Sequence, residues 1–188
     1  MVLTLAETGY AIESSHHEIA PGQHEIGFEY AGTMETADKI VTFKTAVRTI
    51  AKRHGLHATF MPKPRAGVNG SGMHVNMMLM KDGKNIFTDK SDELGLSKEA
   101  YAFMAGILNH IKGMTAICNP LVNSYKRLAP GFEAPSEITW SSRQRTALIR
   151  VPYRKEEGTH LELRSQDASS NPYLVLAHCL EAGIDGIE

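Results

Sequence analysis

Two cysteines, one tryptophan, a net charge of -1 and no long apolar run describe what this 188-residue chain has little of. Cys118 and Cys179 lie far apart in sequence and in no metal-binding spacing. That excludes a disulfide framework and a thiolate zinc site, and the pair reads as reduced thiols of a cytosolic protein. No apolar stretch approaches the roughly eighteen residues a membrane helix needs, and no secretory leader opens the chain, so a cytoplasmic protein without membrane contact is expected. The near-zero charge gives no reason to expect a nucleic-acid partner. A Walker-type glycine loop is also missing, which argues against a P-loop enzyme. What remains is an ordinary globular composition, long enough to bury the core of one domain.

Local patterns divide the chain into helices and hairpins. Residues 2–7 resemble the last turns of a helix, with Gly9 as its cap. Residues 12–30 alternate around Pro21-Gly22, a type II turn pair that predicts a hairpin. Residues 35–54 carry Ile40, Phe43, Val47 and Ile50 at helical spacing, followed by Gly55. Short strands are expected at 57–61 and 72–80, and Lys81-Asp82-Gly83-Lys84 turns the second into a hairpin with 85–88. Ser97 caps a helix carrying Tyr101, Met104, Leu108 and Ile111. A long loop is expected from 119 to 135, and loops of that length are uncommon unless functional. Strands at 148–151 and 160–164 precede a last helix, with Asn171 as cap and Pro172 in its first turn. The fold class is α+β, an antiparallel sheet with helices packed on one side. Both ends fall within helices, so the chain reads as a fragment of a larger domain.

Several charged residues sit where chemistry could use them. Closing the first hairpin at Pro21-Gly22 would pair Ala20 with Gln23, Ile19 with His24 and Glu18 with Glu25. Two carboxylates would then face each other, either weakly repelling on a wet face or holding a hard divalent cation. His74 and Asn76 share one strand face, where His74 could be structural or a ligand. Glu162 and Arg164 share another, which could equally be the charged face of an edge strand. Arg127, Arg143, Arg145, Arg150 and Arg164 crowd the last third of the chain. Each alone could form a surface ion pair, but forked guanidiniums also suit phosphate and carboxylate. Arg145 and Arg150, five apart, could reach one ligand only across a bend. Carboxylates at one end and arginines at the other suggest phosphoryl transfer with charge neutralised from both sides.

Six segments, in order, resemble the bacterial type I glutamine synthetases. They are His16-His17-Glu18 through Gln23-His24-Glu25, Met61-Pro62-Lys63-Pro64, Asn69-Gly70-Ser71-Gly72-Met73-His74, Asn123-Ser124-Tyr125-Lys126-Arg127, Glu133-Ala134-Pro135 and Asn171-Pro172-Tyr173. The resemblance implies a glutamine synthetase/guanidino kinase-like catalytic domain with a curved antiparallel sheet. It implies ATP-dependent ligation of ammonia to glutamate through γ-glutamyl phosphate, in nitrogen assimilation. Two Mg²⁺ or Mn²⁺ sites are implied, one at Glu18 and Glu25, the other at His74 and Glu162. Asn69, Gly70, Arg127, Arg145 and Arg164 would hold glutamate, and Glu133 would close the site and take a proton from ammonium. Arg145 and Arg150 would meet the ATP phosphates, with Glu13, Tyr30 and Asn76 at the nucleotide. Met78 stands where the family usually has a small polar residue, which puts one ATP contact in doubt.

The same resemblance implies missing parts: a small N-terminal β-grasp domain, the first catalytic strands with further metal-binding glutamates, and the C-terminal helices. Its members work as a homo-oligomer, a double hexameric ring with sites between subunits. The isolated chain is therefore expected to be inactive. Two alternatives stay open at this point: a non-catalytic fragment or scaffold of the same fold, and a guanidino (phosphagen) kinase relative.

Overall fold

The computed structural model describes residues 1–152 and 158–188. Its helices are α1 (Val2–Glu7), α2 (Thr33–Arg53), α3 (Lys98–Cys118), α4 (Val122–Arg127) and α5 (Pro172–Ile187). The strands are β1 (Ile12–His17), β2 (His24–Phe28), β3 (Val75–Met77), β4 (Met80–Lys81), β5 (Lys84–Asn85), β6 (Glu137–Ser141), β7 (Ala147–Arg150) and β8 (Leu161–Leu163). The expected caps hold. The Ser97 side chain accepts from the Ala100 N–H, and Asn171 accepts from Tyr173 and Leu174. Among the described residues no helix is long and apolar enough to cross a membrane.

The core lies between one sheet and the helices on its one side. Four strands run in the order β3-β8-β7-β6. Register aligns Val75 with Leu163, Leu163 with Ile149, and Ile149 with Trp140. That row faces α3 and α5, where Val75, Leu163 and Ile149 join Phe103, Ile107, Ile111, Val175 and Cys179 in one buried cluster. Each fully buried large side chain there contributes about 1.5–3 kcal/mol. The two helices approach closely: a Cβ on Gly106 would lie 2.1 Å from the Ala182 carbonyl. The pair β1–β2 forms a separate two-stranded sheet, as does β4–β5. The β4–β5 turn is the expected one, with Asp82 at φ 50° and Gly83 at φ 75°.

The expected strand 72–80 divides into β3, which pairs with β8, and β4, which alone pairs across the turn, and the structure departs from expectation in four further places. The stretch 57–61 is not a strand; Phe60 instead packs its ring on Phe43 and beneath Arg48. The long loop from 119 contains a short helix, α4. A further strand, β6, precedes Arg143, and it pairs parallel with β7 where the rest of the sheet is antiparallel. Parallel pairing across a five-residue connection is possible because five extended residues span about 17 Å, enough to run back along a strand of four. Ser141 Oγ starts that return by accepting from the N–H groups of Arg143 and Gln144.

The fourth departure is register in the first hairpin. The turn closes as expected, Gln23 N–H donating to the Ala20 carbonyl at 3.0 Å, with Gly22 at φ 72°. The ladder beyond it slips, because Ile19 and Ala20 both leave it, the Ile19 N–H capped by the Glu18 carboxylate and the Ala20 N–H by the Gln23 side-chain carbonyl. Glu18 N–H bonds the Gln23 carbonyl, His17 faces His24, and His16 rather than Glu18 faces Glu25. A slip of two residues preserves the faces, so Glu18 and Glu25 remain on one side as diagonal neighbours.

Candidate active site

The face of the four-stranded sheet opposite the core is polar by register. Asn76 lies across from Glu162, Glu162 from Arg150, and Arg150 from Ser141. Glu162 is only 3% exposed, so its charge needs partners. It has three. Arg164 Nη1 donates to Oε1 at 2.8 Å, His74 Nδ1 lies 3.1 Å from the same oxygen, and Arg150 Nε donates to Oε2. Burial alone would raise the Glu162 pKa, but the His74 bond and charge, the Arg150 bond and the Arg164 charge outweigh it and hold it at about 2.

The neighbouring arginines are held by backbone. Arg127, 2% exposed, donates to the carbonyls of Arg164 at 2.9 Å and Ser165 at 2.7 Å. It therefore fixes the strand end that carries Arg164. Burial lowers the Arg127 pKa to about 10, which leaves it a cation at neutral pH. Arg164 reaches forward, its Nε to the Arg145 carbonyl at 3.1 Å and Nη2 to the Glu133 carbonyl at 3.4 Å. Arg145, on the β6–β7 return, meets the Glu133 carboxylate at 3.3 Å, with both side chains largely exposed. Arg145 lies on this return and Arg150 at the end of β7.

The loop of residues 69–74 passes so close to Arg127 and Pro62 that Gly70 and Gly72 have no room for side chains. A Cβ on Gly70 would lie 2.2 Å from the Pro62 carbonyl, and one on Gly72 would lie 2.4 Å from Arg127 Nη2. Asn69 and Gly70 are half-buried in this loop. The first hairpin is tied to it, since Gln23 Nε2 donates to the Gly70 carbonyl at 2.9 Å.

On that hairpin His16, Glu18 and Glu25 each present a ligand atom within 4.8 Å of the others. His16 Nε2 and Glu18 Oε1 are 3.0 Å apart. Two carboxylates and an imidazole on an open face suit a divalent cation such as Mn²⁺ or Mg²⁺. His74 and Glu162 also lie together, although both Glu162 oxygens are already engaged by His74, Arg150 and Arg164.

A cavity of about 470 Å³ opens between the start of α2, strand β3 and α5. Tyr30, Asn76 and Met78 line it, together with Thr33, Phe103 and Leu176. The Tyr30 ring stands edge-on to His160 at 5.8 Å. Glu13 lies exposed on β1, outside this cavity's lining.

The structure thus brings together His74, Asn76, Arg150, Glu162 and Arg164, then Glu133 and Arg145 beside them, with Arg127 beneath. Glu18 and Glu25 meet on their own hairpin. Sequence reasoning missed His16 as their neighbour, although the two-residue spacing of His16 and Glu18 on one strand was a signal. It also missed Gln23 as the tie to Gly70, for which no local pattern exists.

Comparison with known proteins gives this arrangement a context. The family model described as glutamine synthetase, catalytic domain, matches residues 1–188. A glutamine synthetase of Clostridium saccharobutylicum is 63% identical over all of this chain and 42% of its own length. One of Staphylococcus aureus is 57% identical with the same coverage. The chain therefore spans less than half the length of the curated relatives it matches. Among solved structures, the cryoEM Plasmodium falciparum glutamine synthetase superposes with a TM-score of 0.93 at 38% identity, over 98% of this chain and 36% of that one. A GmaS/ADP complex superposes at 0.90 with 43% identity, over 99% of this chain and 44% of that one.

Proposed function

The chain belongs to the glutamine synthetase catalytic-domain family, and from that premise we propose that it supplies the central part of an ATP-dependent glutamate–ammonia ligase. The observation that carries the reading is the polar row His74, Asn76, Glu162, Arg150 and Arg164, set beside Glu133 and Arg145 in a chain matched by the family along its whole length. The family match also sets the guanidino kinase alternative aside. The proposed enzyme is cytoplasmic, works as a homo-oligomer, and needs sequence outside these 188 residues.

In this reading the γ-carboxylate of glutamate attacks the γ-phosphate of ATP, releasing ADP and forming γ-glutamyl phosphate. Ammonia then attacks the acyl carbon and phosphate leaves. Divalent cations held at Glu18 and Glu25, with His16 beside them, and at His74 and Glu162 would offset charge on the phosphoryl oxygens. Arg150 and Arg145 stabilise the transferring group from the sheet side. Arg164, anchored through Arg127, meets the glutamate α-carboxylate near Asn69 and Gly70. Glu133 accepts the proton that ammonium must lose before it is a nucleophile. The nucleotide base occupies the cavity at Tyr30 and Asn76, where Met78 offers packing in place of a hydrogen bond.

The test is the full-length enzyme with ATP, glutamate, ammonium and Mg²⁺ or Mn²⁺, followed for glutamine and phosphate in equal amounts. ATP consumption without glutamine would overturn the reading. The 188-residue chain alone, in the same assay, is expected to make no glutamine, because placed charge from the remaining sequence is needed. A turnover comparable to the full-length enzyme would contradict that.

A further inference from the structure

Lys63 is the one lysine among the described residues that is buried, at 8% exposure, and no carboxylate pairs with it. A buried ammonium without a counter-ion is costly unless its donors are used and its charge meets a polarisable partner. Here one donor is used and the charge meets an aromatic ring. Nζ donates to the Val68 carbonyl at 2.6 Å and stands 3.2 Å from the centre of the Phe132 ring. Its backbone is clamped from another side: Lys63 N–H donates to Asn123 Oδ1 at 2.7 Å, and its carbonyl accepts from Asn123 Nδ2 at 3.0 Å.

Each contact ends next to a residue of the site. Val68 precedes Asn69 and Gly70, and the same loop is pinned by the Ser71 N–H on the Pro62 carbonyl at 2.8 Å. Asn123 lies on α4, whose last residue is Arg127. Phe132 precedes Glu133, whose carboxylate meets Arg145. One side chain and its backbone thus touch the loop of Asn69, the helix of Arg127 and the loop of Glu133. We propose that Lys63 is a positioning residue that couples the 62–71 loop to the Glu133 loop, so that the glutamate-holding groups and the proton acceptor take their places together. The cation–π contact is the coupling element, because among the described residues it is what joins Lys63 to the Glu133 loop, and that loop is otherwise tied to the site by the long Arg164 bond and an exposed ion pair.

The inference rests on the ligase reading for its kinetic consequences but not for its structural one. In the full-length enzyme, Lys63→Met keeps the length and loses the charge. It is expected to speed amide exchange across residues 129–136 by about tenfold, and to raise the KM for glutamate by about tenfold with a smaller fall in kcat. Lys63→Arg, whose guanidinium can stack on the same ring, restores most of both. Phe132→Leu reproduces the exchange effect from the other side, and Lys63→Met with Phe132→Leu is no worse than the more severe single change. Unchanged exchange and KM in Lys63→Met, or full additivity in the double variant, overturns the proposal. Should Lys63→Met fail to fold, Phe132→Leu decides, and wild-type exchange in both loops overturns it. Failure of the wild-type enzyme to make glutamine would sink the ligase reading while leaving the exchange result to judge the coupling.

Discussion

The β1–β2 hairpin and the polar face of the four-stranded sheet both gather carboxylates and a histidine, but they treat the charge differently. On the hairpin, His16, Glu18 and Glu25 converge on an exposed face where water screens their repulsion. On the sheet, Glu162 is buried and already compensated by Arg150, Arg164 and His74. The hairpin can therefore hold its carboxylates together at little cost, whereas the sheet cannot keep Glu162 ionised without its arginines. Removing a carboxylate should accordingly damage ligand binding in the first region and the fold itself in the second.

The largest effect is expected at Glu162. Glu162→Gln leaves Arg164 buried without its counter-charge and should destabilise the protein by about 3–5 kcal/mol, read as a fall in the urea midpoint. Acid should reveal the same dependence. The Glu162 pKa is depressed from 4.5 to about 2, so its contribution is fully present above the unfolded value and is lost as pH falls from there through the folded one. The stability–pH curve of Glu162→Gln should lack that limb, while Glu25→Gln should retain it. A wild-type midpoint for Glu162→Gln would break the comparison.

Next comes metal affinity. Glu18→Gln or Glu25→Gln should weaken Mn²⁺ binding on the order of a hundredfold, measured by the loss of free-Mn²⁺ signal on titration. Neither should change the unfolding free energy by more than about 0.5 kcal/mol, as for other surface changes. Equal loss of stability at Glu25 and Glu162 would remove the distinction drawn here. Arg145 extends the contrast into the sheet region. Its ion pair with Glu133 is exposed and contributes little to stability. Arg145→Ala should nevertheless lower kcat/KM for ATP by tens to hundreds of fold, or about 2–3 kcal/mol of transition-state stabilisation. The smallest effect belongs to the turn. Gly22 sits at φ 72° with open space around it, so Gly22→Ala should cost about 1–2 kcal/mol through backbone strain alone. The accompanying loss of Mn²⁺ affinity should be smaller than that of Glu25→Gln.

These two regions also differ in how much of them could be seen beforehand. Local signals placed α2, α3 and α5 well, because Ser97 and Asn171 are side-chain caps and the apolar spacing is helical. Strand β6 escaped notice although Glu137-Ile138-Thr139-Trp140-Ser141 alternates polar and apolar residues, a short signal set between turn-rich segments. On the sheet, alternation at Asn76 and Glu162 already put both on the polar face, and register then set them opposite each other. On the hairpin, the turn was legible but the slip was not, since it depends on the Glu18 and Gln23 side chains bonding the backbone of Ile19 and Ala20. Arg127 and Lys63 show the limit most clearly. Arg127 is held by carbonyls from a distant strand end, and Lys63 by the distant Phe132 ring and Asn123 side chain, and nothing beside either residue in sequence announces those partners.

In the proposed reaction glutamate's own carboxylate takes the phosphoryl group. The most direct measurement uses glutamate carrying oxygen-18 in its γ-carboxylate, turned over by the full-length enzyme with ATP and ammonium. Each phosphate released should carry one labelled oxygen, because the carbon–oxygen bond to it breaks when ammonia displaces the phosphate. Phosphate free of label, formed alongside glutamine, would contradict it.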